Sequence, residues 1–214
     1  MDADRRALNA CIGAAIAILA LETLVVWAIP RTGVPVLAAI GLARAADVGI
    51  IALSMRRFRL ERGEIFLPVG GLGRGLRRGI LWSAACGALA ALGFAAAILF
   101  GLDPLRLVGN SAAARWPEAP LFFAVGGLIG PIAEELFFRG LLFRALRRWG
   151  APAAILGTTI LFALLHPTAA TLPVIQIVGG LVFAAAVEIE KNLMVPITIH
   201  VLGNLAIFSL AFAG

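Results

Sequence analysis

Residues 120–143 read PLFFAVGGLIGPIAEELFFRGLLF, a run long and apolar enough to cross a membrane yet interrupted by Glu134, Glu135 and Arg139. A spanning helix needs about 20 mainly apolar residues. A charged group at membrane depth costs at least about 2.5–3.5 kcal/mol on insertion scales, so each of the three requires a reason. Helical spacing supplies one for two of them. Glu135 and Arg139 are four apart, on one face, with the acid N-terminal to the base in the favourable order. Glu134 points about 100° away from that pair and must face another element.

Outward from this stretch, comparable runs recur near 8–29, 33–54, 80–101, 153–170, 172–188 and 193–213, which makes seven candidate spans. With 61% hydrophobic and 14% charged residues, the solvent for most of the chain is lipid. The fold class is all-α: a polytopic transmembrane helical bundle forming a single membrane domain over residues 1–214. Arg5 and Arg6 precede the first run, which is too long for a cleaved leader and is expected to be an uncleaved signal anchor. Arginines crowd 55–79, from Arg56 to Arg78, and recur at Arg144, Arg147 and Arg148. Basic loops stay on the cytoplasmic side, so the chain is expected to be N-in and C-out, in the cell membrane. The net charge of +6 therefore reflects topology. It lies in loops, without the interleaved recognition residues of a nucleic-acid binder.

The glycine- and arginine-rich stretch Gly70–Arg78 lacks the lysine and the strand–helix context of a phosphate loop. It is expected to be a basic surface loop or an interfacial helix against anionic lipid. Gly126 and Gly130 form a small-xxx-small pair suited to close helix packing. Cys11 and Cys86 lie in apolar runs and read as small hydrophobes.

The other ionisable residues within the spans are Glu22, Arg44, Asp47, His166, Glu188 and His200. Arg44 and Asp47, three apart, are expected to pair locally. Glu22 reads as a packing acceptor or a cavity-lining group, and Glu188 as interfacial. His166 and His200 are the chain's two histidines. Trp149-Gly150-Ala151-Pro152 is a helix-ending turn. Glu134 lies sixteen positions before Gly150 and His166 sixteen after it, so an antiparallel hairpin brings them to one level. A later turn at Glu190-Lys191-Asn192 sets His200 about 12 Å along the last helix. Asn204 lies one turn further on the same face.

In order, Glu134-Glu135-x-x-x-Arg139, Phe162-x-x-x-His166 and His200-x-x-x-Asn204 resemble the three motifs of the CAAX-protease and bacteriocin-processing (CPBP) family, over about 119–210. The resemblance implies a membrane-embedded helical fold with a catalytic cavity open to the cytoplasm, and endopeptidase activity near a substrate's C-terminus. It implies that Glu134 with His166 activates a water, that His200 and Asn204 stabilise the oxyanion, and that Glu135 and Arg139 organise the site. The implied partner is a protein or peptide substrate, with a lipidated or hydrophobic C-terminal segment among the options, alongside the lipid bilayer. The N-terminal half matches no motif.

The chemistry agrees with that assignment, since a carboxylate and an imidazole at one level can deprotonate water and return the proton to a leaving amine. No cofactor is called for on this reading. The same Glu134, His166 and His200 also compose a two-His, one-carboxylate set of the kind that holds catalytic zinc, and a zinc-dependent protease is the mechanistic alternative. Outside enzymology, intramembrane Glu and His suit an ion-coupled carrier, although no paired halves are visible. A non-enzymatic immunity or scaffold protein of the same fold is the remaining alternative.

Overall fold

The structure, a computed structural model, describes residues 2–67, 70–103, 118–166 and 173–213. Seven helical stretches make up these parts: α1 (Ala3–Thr32), α2 (Val36–Arg57), α3 (Leu72–Leu99), α4 (Ala119–Trp149), α5 (Ala151–Leu164), α6 (Val174–Glu190) and α7 (Met194–Ala213). Four of them, α1 to α4, are long and apolar enough to cross a membrane; α5 and α7 are shorter apolar helices. The chain is a multi-pass helical membrane protein. None of the most apolar window of α3 is buried inside the protein, and large side chains such as Ile16, Leu89 and Leu99 stand exposed where lipid would solvate them.

Local chemistry sets the helix boundaries. Asp2 caps α1, accepting from the Asp4 amide, and Gly33 ends it in the left-handed region at φ 67°. Between α4 and α5, Gly150 adopts φ 101° and ψ 164°, a conformation essentially confined to glycine, and Pro152 then sits in the first turn of α5. Lys191 closes α6 at φ 49°, and the Asn192 carboxamide oxygen accepts from the Met194 amide to open α7.

Three elements depart from expectation. α3 begins at Leu72, so Gly73–Arg78 are the first turns of a membrane helix and not a loop or a separate interfacial helix. The cause is packing. A Cβ on Gly75 would sit 2.6 Å from Met194 Cβ, and one on Gly79 would sit 2.9 Å from Thr198 Cγ2, so the glycines let α3 lie directly on α7 while the arginines face away. α5 ends at Leu164, short of the expected 170, and His166 follows just beyond its last turn. Residues 167–172, where the fifth and sixth spans are expected to meet, lie outside the described residues. α4 widens into π-helical turns at Val125–Ile129 and Leu136–Leu142. The first presents Gly126 and Gly127 to Phe208 and Leu205 of α7, so the close contact uses adjacent glycines and not a Gly126/Gly130 pair.

α4 is the central post, touching α1, α2, α5, α6 and α7. Ala7, Ala10, Cys11 and Ala14 give α1 a narrow face, and they join Leu141 and Phe143 of α4 in the main core. The segment after α2 folds back so that Ile65 is fully buried, and the Phe66 carbonyl accepts from the Leu193 amide at 2.7 Å. Ion pairs gather at this end of the bundle: Arg144–Asp4, Arg6–Glu64, Arg147–Glu188 and Arg78–Glu190. Glu188, half-buried near the end of α6, is thus bound by Arg147 and also by Lys191.

Candidate active site

Glu134 and Glu135 leave α4 in different directions and have different surroundings. Glu135 is fully buried; its Oε1 accepts from Arg139 Nη1 at 3.0 Å and lies 2.9 Å from His200 Nδ1. Arg139, also without exposure, donates from Nη2 to the Gly180 carbonyl at 3.2 Å and lies among the rings of Phe138, Phe162 and Phe183, 4.7–5.6 Å from their centroids. An aromatic collar thus solvates the cation that Glu135 neutralises.

Glu134 faces a cavity of about 590 Å³. Its Oε2 is 3.5 Å from His166 Nε2 and 3.8 Å from His200 Nε2, so one carboxylate oxygen lies between two imidazoles. The sixteen-residue symmetry about Gly150 does bring Glu134 and His166 together. Their distal nitrogens define the proton inventory. His166 Nδ1 is 2.7 Å from the Phe162 carbonyl, which can only accept, so Nδ1 carries hydrogen. His200 Nδ1 likewise faces the Glu135 carboxylate. In the neutral rings both Nε2 atoms are therefore acceptors pointing at a carboxylate, an arrangement completed by a proton donor or a cation placed between them.

Aromatic contacts fix both rings. Phe162, one turn before His166, lies 4.3 Å from its ring centroid, and Phe183 stacks on His200 at 4.6 Å with 22° between planes. Asn204 donates from Nδ2 to the Gly126 carbonyl at 2.9 Å, in the widened turn of α4, leaving its second amide hydrogen free of that bond.

Two features were not legible in the sequence. Phe183 has no periodic or motif signal to mark it. Arg44 and Asp47 do pair as expected, at 2.9 Å, and Glu22 takes the cavity-lining place that was one of its two expected readings, but the contact of Arg44 with Glu22 of α1 at 3.1 Å, and the sharing of one cavity by all three with Glu134 and His166, were not foreseen. The depth of these three residues within their spans was the available signal; the side of the helix they occupy was not.

Residues 116–206 match the family of Type II CAAX prenyl endopeptidases described as Rce1-like. That match and the motifs within it support the CPBP family for this part of the chain. The Membrane-embedded CAAX protease MroQ of Staphylococcus aureus (strain USA300) is 38% identical over 94 residues, which cover 41% of this chain and 38% of that protein. The chain thus spans about 38% of the length of the curated relative it matches. No solved structure matches it. Glu134, Glu135, Arg139, Phe162, His166, His200 and Asn204 all fall within the matched residues.

Proposed function

We propose that the chain is an intramembrane endopeptidase that hydrolyses a peptide bond near the C-terminus of a protein or peptide substrate, from a cavity reached from the cytoplasm. The observation that carries this reading is the position of Glu134 Oε2 between the Nε2 atoms of His166 and His200. A water held by Glu134 and His166 loses its proton as its oxygen attacks the carbonyl carbon. The C–N bond then breaks, and the proton passes to the departing amine through His166. The oxyanion formed meanwhile is met by His200 and Asn204 from α7. That role requires a hydrogen on His200 Nε2, while its Nδ1 faces Glu135. Donors fixed by packing in a dry site stabilise such charge without reorganising. Glu135 and Arg139 hold this geometry and do not touch the substrate.

A second reading keeps zinc, because Glu134, His166 and His200 are residue types that bind it and a bound ion would lower the pKa of the water itself, although among the described residues no three such groups are set as a metal site. Chelation separates the two. Protein purified without added metal is expected to cleave a hydrophobic C-terminal peptide equally well before and after prolonged chelation, and Glu134→Gln is expected to abolish cleavage. Activity lost to the chelator and restored by one zinc per chain would establish the zinc enzyme. Cleavage that survives in Glu134→Gln would remove the endopeptidase assignment of this site.

A further inference from the structure

The N-terminal half, which matches no motif, supplies the cavity's one exposed cation among its described lining residues. Arg44 of α2 donates from Nη1 to Asp47 Oδ2, and its Nη2 lies 3.1 Å from Glu22 Oε1. A guanidinium has five N–H donors in a fixed fork. The two acids engage one nitrogen each, once, and so orient the group without exhausting it. Asp47 is 2% exposed and acts as the anchor, whereas the Arg44 side chain remains 29% exposed, on the cavity. Arg139 offers no such face, being enclosed by Glu135 and aromatic rings. The remaining lining is mainly apolar, with Ile12, Ile18, Phe137 and Leu161 among it.

An anionic group carried into such a cavity must be paired, because burying an isolated charge is strongly unfavourable. A peptide severed near its C-terminus brings one: its terminal carboxylate, whose two oxygens match a guanidinium fork. We propose that Arg44 is the carboxylate-binding subsite of the cavity, holding the free C-terminus of the substrate while the scissile carbonyl lies at Glu134. This rests on the endopeptidase reading. The subsite makes Arg44 a specificity residue, selecting substrates with a free terminus. Glu22 is its internal competitor, because the incoming carboxylate takes over the Nη2 side that Glu22 now engages.

The test uses purified full-length protein in lipid nanodiscs and a pool of short peptides with apolar C-terminal segments, some carrying an S-farnesyl cysteine. Each is made as the free acid and as the carboxamide, and products are read by mass spectrometry. Free acids are expected to be cleaved roughly 10- to 150-fold faster, the range for a hydrogen bond to a charged group. Arg44→Met should bring the ratio close to one, Arg44→Lys should leave it intermediate because an ammonium keeps charge without the fork, and Glu22→Gln should widen it. The ratio is taken within one preparation, so loss of folded protein cancels. Should Arg44→Met yield no product, Arg44→Met combined with Glu22→Gln and Asp47→Asn removes the stranded acids and is read in the same way. Equal rates for acid and amide in the unmodified protein, or a ratio unchanged in Glu22→Gln, overturn the subsite and leave the protease standing. Absence of any product that Glu134→Gln suppresses overturns the endopeptidase reading itself and the subsite with it.

Discussion

Replacing Glu135 by Ala should unfold this protein far more readily than replacing Glu134 by Gln, although the two residues are adjacent. Glu135 Oε1 serves two partners at once, Arg139 Nη1 at 3.0 Å and His200 Nδ1 at 2.9 Å, and both members of the ion pair have no exposure. Its removal leaves Arg139 as a buried cation held by one carbonyl bond, to Gly180, and by its aromatic neighbours. Breaking a buried pair by deleting one partner costs about 3–5 kcal/mol. For a protein of this size each kcal/mol moves the midpoint by roughly 2–4 °C, so the expected drop is roughly 6–20 °C. The aromatic collar around Arg139 favours the lower end. Glu134 faces the cavity with its side chain 20% exposed, and an amide there keeps the shape and can still hydrogen-bond, so its change should stay within about 1 kcal/mol. The assay is thermal loss of monodisperse protein in detergent, measured with cleavage on the same samples. Both variants should lose turnover, but only Glu135→Ala should lose stability. Equal midpoint losses for the two would refute the division of roles.

Asn204→Ala should cut turnover roughly 100- to 1000-fold, as for other oxyanion donors, while the loss of its bond to Gly126 costs stability about 1 kcal/mol; single-turnover rates within tenfold of wild type would exclude the role. Gly79→Val should destabilise by about 1–3 kcal/mol, because a Cβ there meets Thr198, whereas Gly87→Val, where a Cβ meets nothing within 4 Å, should be neutral by the same melting assay. A probe cysteine at Arg74, with Cys11 and Cys86 replaced, should be modified only from the cytoplasmic side, as the positive-inside rule requires; labelling from outside intact cells would reverse the topology.

Much of the site was legible because its rules are local. The i,i+4 spacing pairs Glu135 with Arg139, and equal distances on either side of a glycine-proline turn place Glu134 beside His166. What stayed hidden depends on contacts between elements. The widened turn at Val125–Ile129 changes which glycines face α7, and no spacing rule announces a π turn in advance. The Gly75 and Gly79 stripe was concealed by the arginines around it, although its four-residue period is the signature of close helix packing. Glu22, Arg44 and Asp47 were visible as charges at depth, but only the packing of α1, α2 and α4 shows that they share a cavity with Glu134.

α5 has 14 residues, and at 1.5 Å per residue it spans about 21 Å, against a hydrocarbon core of about 30 Å. A short hydrophobic segment is accommodated by thinning of the adjacent bilayer or by drawing polar neighbours inward. Of the seven described helices α5 is the shortest, and His166 follows directly after it. On the endopeptidase reading, the acyl-chain length of the surrounding membrane is then expected to change hydrolysis as well as insertion.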